Sequence, residues 1–597
     1  MSENQFGSPT RERILIFILM GFFAVLVLNL FNMQIIQYYN YEEKSTENSV
    51  RQAVQNAPRG IFYDRDYNVL VSNKPSFTLQ ITPAFYDKQN TELIEKVLGV
   101  GEGYIDNILN STRIYSIYMP RKIMRDVDFK FIAWLEENSE KLPGVEYIVE
   151  LQRDYSSGIK GAHFLGYIKE ISSEQYQREK EIYDLGDYVG FNGLEKSYES
   201  MLRGKKGIKY TLVDSKQKVI SKYKDGLEDK VPIKGNDLVL SIDSDAQRIA
   251  EKAFKGKRGA LVAIEPSTGE IIAFVSAPEY DLSDFTMVTS QDAWGKLNRD
   301  PDKPLFNRAT MSIYSPGSTY KMITAIAGLE KGVITTNTHY TCSGGIYYGD
   351  RPFRCLHVHG RVNVVEAIEK SCNVFFYSII QNVGLDNWSN YSHLFGFGDK
   401  TGIDIGEEIA GVVPSTQYYN RVYGKNGWTS GYLLSLTIGQ GELSVTPLQL
   451  AKYVALIANN GHSAVPHFVK GIVYSDTHQY EAVIPKKINI DVSQSSFDIV
   501  REGMYKVVNG EGSARNIKMP NLKIAGKTGT AQNPFGEDHA FFVGFAPFDN
   551  PQIAVAVVVE NAGFGSTHAA PIARDVMVSF INKNKQGDSK NVAALVN

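Results

Sequence analysis

Cysteine is scarce in this chain: 597 residues carry three, Cys342, Cys355 and Cys372, all within one short segment. A disulfide framework spreads its cysteines along the chain, so covalent stapling of the whole fold is excluded. Basic excess is missing as well. The 63 lysines and arginines stand against 66 aspartates and glutamates, a formal net charge of -3, which removes the electrostatic footprint of a nucleic-acid binder. There is no internal repeat and no long low-complexity tract. With 43% hydrophobic and 22% charged residues, the composition is that of a folded protein and not of a disordered or fibrous one. The length is too great for one hydrophobic core and suggests roughly three or four units.

Charge itself is absent from Ile14 to Tyr41, and Ile14 to Phe31 is almost wholly apolar, broken only by Asn29. At a rise of 1.5 Å per residue, about 20 residues cross a hydrocarbon core of about 30 Å. Residues 14–36 are therefore expected to span a membrane. Arg11 and Arg13 precede the run and Glu42 and Glu43 follow it, so residues 1–13 are expected in the cytoplasm. A cleavable signal peptide is the other reading. The run exceeds a usual signal core, and no small-x-small cleavage site follows it.

Residues 45–235 are polar and mixed, with extended stretches such as Phe77–Ile81 and helical ones such as Thr91–Val97. Pro232 and Gly235 mark a boundary. Beyond it, apolar strands are expected at Leu238–Asp243, Gly259–Pro266 and Glu270–Ala277, then helices at Lys321–Lys331, Val364–Gln381 and Thr446–Asn459. Strands return at Leu522–Gln532, Ala540–Pro547 and Ile553–Glu560, and Ala570–Asn582 closes as a helix. That order predicts an α+β unit over 236–582, with helices packed on a largely antiparallel sheet, and a loose tail over 583–597.

Three short motifs carry chemistry. In Ser318–Thr319–Tyr320–Lys321, helical spacing sets the Lys321 amine within reach of the Ser318 hydroxyl. A serine is a weak nucleophile until a base takes its proton, and a desolvated lysine can be that base. Ser371–Cys372–Asn373 offers a second hydroxyl to relay a proton and an amide to orient Lys321. Lys527–Thr528–Gly529–Thr530 ends an apolar run, where a cation, two hydroxyls and a glycine suit a carboxylate lying along a strand edge. Each spelling is weak alone: Ser215/Lys218 and Ser221/Lys224 repeat the first, and Lys400–Thr401–Gly402 repeats the third.

The order of the three motifs is the signature of penicillin-binding proteins and serine β-lactamases. Their flanks, NRATMSIYSPGSTYKMITAIAGLEKGVI, AIEKSCNVFFYSIIQNVG, TIGQGELSVTPLQLA and KIAGKTGTAQ, resemble the transpeptidase domain of class B penicillin-binding proteins. PRGIFYDRDYNVL, GAHFLGYI and GLEKSYESMLRG resemble that class's non-catalytic pedestal. The likeness runs from the membrane helix to about residue 580 and is greatest to the elongation-type members.

The resemblance implies an N-terminal transmembrane helix, an elongated α/β pedestal over 45–235 and a penicillin-binding/β-lactamase-like transpeptidase domain over 236–582. It implies Ser318 as nucleophile, Lys321 as base, and Ser371, Asn373 and Lys527 as proton relays and site holders. Thr528, Gly529 and Thr530 would bind the substrate carboxylate, with the backbone N–H groups of Ser318 and Thr530 as oxyanion donors. Peptidoglycan stem peptides are the implied substrates, β-lactams the inhibitors, and a polytopic membrane glycosyltransferase the partner, at the outer face of the bacterial inner membrane. A division-type enzyme, a carboxypeptidase or β-lactamase-like hydrolase, and a non-catalytic β-lactam sensor are the alternatives.

Cys342, Cys355, His359 and Cys372 are spaced C-x12-C-x3-H-x12-C. Three thiolates and an imidazole form a tetrahedral zinc set, and elongation-type relatives can carry a structural zinc in this region. No cofactor is needed for the chemistry itself. A Cys342–Cys355 disulfide is the alternative, and His357 could replace His359. His163, Tyr314, Tyr320, Asp64 and Arg65 are expected to be structural, and His539 to line the cleft rim with no general-base role.

Overall fold

The computed structural model describes residues 9–39, 49–111, 116–213, 219–286, 291–534 and 536–596. The Ser215/Lys218 pair, residues 1–8 of the expected cytoplasmic tail and the expected pedestal start near residue 45 lie outside the described residues. Two compact units divide the chain: residues 1–58 with 204–234, and residues 59–203 with 235–597.

In the first unit, helix α1 spans Pro9–Phe31 and continues as a π-helical turn over Asn32–Ile36. Its aromatic and aliphatic side chains, Phe17 and Phe22 among them, point outward without protein cover. Such a surface is costly in water and at home in hydrocarbon, where the helix satisfies its own backbone groups. The helix begins before the expected Ile14, because Pro9 suits a helical first turn. The same unit holds an antiparallel sheet of Val50–Gln55, Gly207–Val213 and Val219–Lys222.

In the second unit a seven-stranded sheet runs Tyr480–Ala482, Val469–Val473, Asp237–Leu240, Phe62–Tyr63, Val69–Ile81 and Arg121–Met124, and Val145–Asp154 also pairs with Val69–Ile81. The expected strand Leu238–Asp243 ends early, because Asp243 caps the next helix by accepting from Asp245 and Ala246 N–H. A buried ion network ties the motif residue Arg59 into this unit. Glu195 is fully buried and takes Arg59 at 2.7 Å and Arg153 at 2.6 Å. Burial alone would raise the Glu195 pKa, but Arg153 and Arg59 outweigh it and hold the carboxyl below its ordinary value. Glu195→Gln strips the charge from between two guanidinium groups, and we expect a stability loss of about 3–5 kcal/mol in denaturant unfolding. Because the folded value lies below the unfolded one, near 4.5, this contribution is full above that pH and fades as pH falls through the folded value. The Gln variant should therefore lose less stability on acidification than the parent.

The second sheet of this unit comprises β1 (Gly259–Ile264), β2 (Ile271–Ala277), β3 (Ala525–Ala531), β4 (His539–Ala546) and β5 (Ile553–Val559), ordered β2-β1-β5-β4-β3 and wholly antiparallel. Strands β1, β2 and β5 are buried along their full length, as continuous apolar runs require. The same unit carries helices α2 (Ser244–Ala253), α3 (Lys321–Glu330), α4 (Val364–Glu369), α5 (Asn373–Val383), α6 (Pro447–Ala458), α7 (Gln494–Asn509) and α8 (Ala570–Val596). Helix α6 packs on β1 and β5, and α8 packs on β4 and β5 while also touching α2. A capping box between Thr446 and Gln449, with Pro447 in the first turn, starts α6.

Two expectations need correction. Val364–Gln381 is not one helix: α4 ends at Glu369 and α5 starts at Asn373. The closing helix does not stop at Asn582. It runs to Val596, and Lys583, expected in a loose tail, pairs with Asp66 at 2.6 Å, Asp243 at 2.9 Å and Asp245 at 3.1 Å.

Candidate active site

Ser318 stands in a 3-10 turn, Gly317–Tyr320, that leads into α3. Gly317 has φ +58°, and a Cβ placed on it would lie 2.9 Å from the Thr530 carbonyl oxygen on β3. Only glycine serves there, for conformation and for close approach. Gly529 matters from the other side: a Cβ on it would stand 2.9 Å from Thr319 Cγ2 and 3.0 Å from the Pro316 oxygen. The turn is held by Gly317 N–H donating to Gly439 O at 2.9 Å and by Tyr453 O–H on α6 donating to Thr319 O at 3.2 Å. Ser318 is half-buried and Lys321 fully buried.

Ser371 occupies the break between α4 and α5 with φ +54°, a left-handed conformation that a serine adopts only when its surroundings demand it. It caps α4: Ser371 N–H donates to Ile368 O at 3.2 Å and Cys372 N–H to Ala367 O at 2.9 Å. The cap presents Ser371 to Lys321. Its Nζ donates to Ser371 O at 2.8 Å, Ser371 Oγ at 3.0 Å and Asn373 Oδ1 at 2.6 Å, which uses all three ammonium hydrogens. An unbroken helix would turn the Ser371 carbonyl along its own axis and away from this amine. Lys527, fully buried on β3, donates to the same Ser371 Oγ at 2.9 Å and to Thr528 O at 3.2 Å.

Two buried amines thus converge on one partly exposed hydroxyl among neutral acceptors. Burial pushes the Lys321 pKa down to about 8, partly opposed by Cys355 and Cys372. Burial, then the Lys321 charge, holds Lys527 well below the ordinary lysine value. The arrangement can hold a neutral amine near neutral pH and pass a proton between nitrogen and hydroxyl.

The four expected metal ligands also converge. One donor atom each from Cys342, Cys355, His359 and Cys372 lies within 4.8 Å of all the others. Cys342 Sγ and Cys355 Sγ stand 3.6 and 3.5 Å from His359 Nδ1. A tetrahedral zinc at its usual bond lengths sets that edge at about 3.5 Å, so the donor set fits the ion. The three cysteines are unpaired, and His357 contributes only its carbonyl, to Cys342 Sγ at 3.5 Å. Cys355 Sγ also accepts Asn373 N–H at 3.2 Å, so the cluster borders the Ser371–Asn373 segment.

Residues 259–578 match the penicillin binding protein transpeptidase domain family, and residues 54–240 match the penicillin-binding protein dimerisation domain family. The peptidoglycan D,D-transpeptidase MrdA of Acinetobacter baumannii is 33% identical over 93% of this chain and 85% of its own length. The chain belongs to the penicillin-binding proteins. The Escherichia coli protein of the same name is 30% identical over 96% of this chain and 94% of its own. A solved complex of the penicillin-binding protein PBP2 with MreC from Helicobacter pylori superposes with a TM-score of 0.74 at 28% identity, covering 90% of this chain and 99% of that one. With α1 and these relatives together, the chain is a membrane-anchored penicillin-binding protein.

Among the described residues, the second K-T-G has partners of its own. Thr401, in the second K-T-G, donates through N–H and Oγ1 to Glu408 and closes a loop. Ser221 lies on the Val219–Lys222 strand of the first unit. His163 is buried edge-on against Tyr280, and burial pushes its pKa down to about 4. His539 Nδ1 accepts Asn561 N–H, and its ring packs on Tyr314. Asp64 accepts from Asp66 and Asn68 N–H and from Ser244 Oγ, while Arg65 pairs with Glu265 and Glu270. One neighbour of the K-T-G strand escapes sequence reasoning: Ser513, whose Oγ lies 2.5 Å from Thr528 Oγ1. Its setting, GEGSA, spells only a turn.

Proposed function

We propose that this chain is a peptidoglycan D,D-transpeptidase that cross-links stem peptides through an acyl-enzyme on Ser318, during growth of the cell-wall side walls. The observation that carries the reading is the convergence of Lys321 and Lys527 on Ser371 Oγ, at 3.0 and 2.9 Å, beside the turn that bears Ser318.

Lys321, neutral at the moment of reaction, takes the Ser318 proton as Oγ adds to the carbonyl of the penultimate D-alanine. The oxyanion falls to the backbone N–H groups of Ser318 and Thr530, a contribution of about 3 kcal/mol per donor. The tight approach of Gly317 to the Thr530 backbone supports that pairing. Collapse breaks the peptide bond, and the departing D-alanine amine receives a proton through Ser371 Oγ, which the two lysines flank. An amine from a neighbouring stem peptide then adds to the ester, gives its proton to Lys321, and expels Ser318, which is reprotonated. Asn373 orients Lys321. Thr528 and Thr530 grip the terminal carboxylate, and Gly529 between them lets the Ser318 turn pack against the strand.

Cys342, Cys355, His359 and Cys372 would hold one zinc ion, tying residues 342–359 to Cys372 beside Ser371 and apart from acyl transfer. We expect one zinc per chain by elemental analysis. Cys355→Ser should lose most of that zinc and lower the melting temperature, whereas His357→Ala should lose neither.

Residues 1–13 would lie in the cytoplasm, 14–36 in the membrane, 45–235 in a pedestal and 236–582 in the transpeptidase domain outside the membrane, with 583–597 as a terminal extension. Arg11 and Arg13 before the apolar run support that orientation. The partner is a polytopic membrane glycosyltransferase that makes the glycan strands, and a scaffold like the MreC of the Helicobacter pylori complex is a second candidate. Reconstitution with such a polymerase and lipid-linked precursor tests the function: dimeric muropeptides should form and vanish with penicillin. Round cells on depletion would fit side-wall growth, and filaments would refute it.

A further inference from the structure

Ser513 belongs to none of the three motifs and to no metal ligand set. It lies in the loop that follows α7, and that loop is held rigidly. Glu369, buried at the end of α4, accepts Glu511 N–H at 2.8 Å, and Ala514 N–H donates to Val507 O at 3.1 Å. A Cβ on Gly510 would stand 2.4 Å from Glu369 Oε1, and one on Gly512 would stand 2.4 Å from Val507 Cα. The loop therefore has room for its backbone and little else, and it delivers Ser513 Oγ to Thr528 Oγ1. Thr528 is 9% exposed, whereas Ser513 is open to solvent.

Two hydroxyls in such contact share one hydrogen, so the other O–H is free to donate. The pair meets solvent through the exposed Ser513. The cation of the motif cannot take its place, since Lys527 is buried and spent on Ser371 and on the Thr528 carbonyl.

We propose that Ser513 is a third hydroxyl of the carboxylate site: with Thr528 and Thr530 it binds the free carboxylate at the end of a stem peptide or on a β-lactam. This rests on Ser318 being the acylated residue. A hydrogen bond to an anion is stronger than one between neutral groups, so loss of Ser513 should show in binding of the charged ligand and not in the acylation chemistry.

The test uses the full-length protein in detergent and two probes, benzylpenicillin and its uncharged methyl ester. Ser513→Ala should lower the second-order acylation constant for benzylpenicillin about tenfold with the rate at saturation kept, and leave the slower reaction with the ester unchanged. Ser513→Thr, which keeps the hydroxyl, should restore the parent rate. Introduced into Thr528→Ala, Ser513→Ala should slow benzylpenicillin further. Equal slowing of both probes, no slowing of either, or no added loss in the Thr528→Ala background would overturn the proposal, the last by showing that Ser513 acts only through Thr528. If the parent protein were acylated by neither probe, the Ser318 reading would fail first and this assignment with it.

Discussion

Ser318→Ala should abolish covalent labelling by a fluorescent penicillin while the unfolding transition stays where it is. The turn that carries Ser318 is set by Gly317 packing on Thr530 and by hydrogen bonds from Gly317 and Tyr453, none of which uses the serine side chain. Lys321 spends its three hydrogens on Ser371 and Asn373, so its position does not depend on Ser318 either. Alanine fits the half-buried position and removes the oxygen alone. No rescue by Ser371 is expected, because its hydroxyl is already engaged by two amines. Gel fluorescence together with a melting curve checks both halves. Labelling at the parent level would remove Ser318 from the chemistry, and a collapsed melting curve would mean that the residue has a structural role not evident from its contacts.

Lys321→Met is the second large effect. Methionine keeps the length and the apolar stem, so the fold should survive with a lower melting temperature. Ser371 O and Asn373 Oδ1 lose a donor, at about 1–3 kcal/mol for each buried group left unsatisfied. The acylation rate constant should fall about 10²–10⁴-fold, the usual worth of a positioned general base. The same change relieves Lys527 of the Lys321 charge that helps to hold its pKa down. Lys527 should then carry its proton to higher pH and substitute poorly as a base. Stopped-flow acylation under saturating β-lactam separates this loss from weaker binding. A fall of less than about tenfold would place the base elsewhere.

Much of the fold and the site is legible in the sequence, and the reasons differ by residue. Ile553–Val559 and Gly259–Ile264 read as strands because continuous apolar runs have few homes other than a doubly covered sheet. The cysteine cluster reads as a metal set because its spacing is local. Only geometry separates His359 from His357, since both lie near Cys355. The break at Ser371 is invisible: EAIEKSCNVFFYS keeps an apolar pattern straight through it, and a serine stands at the left-handed cap where glycine is the usual signal. Lys583 looks like tail because its partners Asp66, Asp243 and Asp245 are distant in sequence. Ser513 and the Arg59–Glu195–Arg153 network share that cause. Tertiary partners leave no mark on local spacing.

Peptide mass spectrometry of the full-length protein after a brief exposure to benzylpenicillin tests the role of Ser318 most directly. One penicilloyl group, stable for hours, is predicted on the tryptic peptide Ala309–Lys321, localised by fragmentation to Ser318. An adduct on any other side chain, or none on a folded protein, would contradict that role.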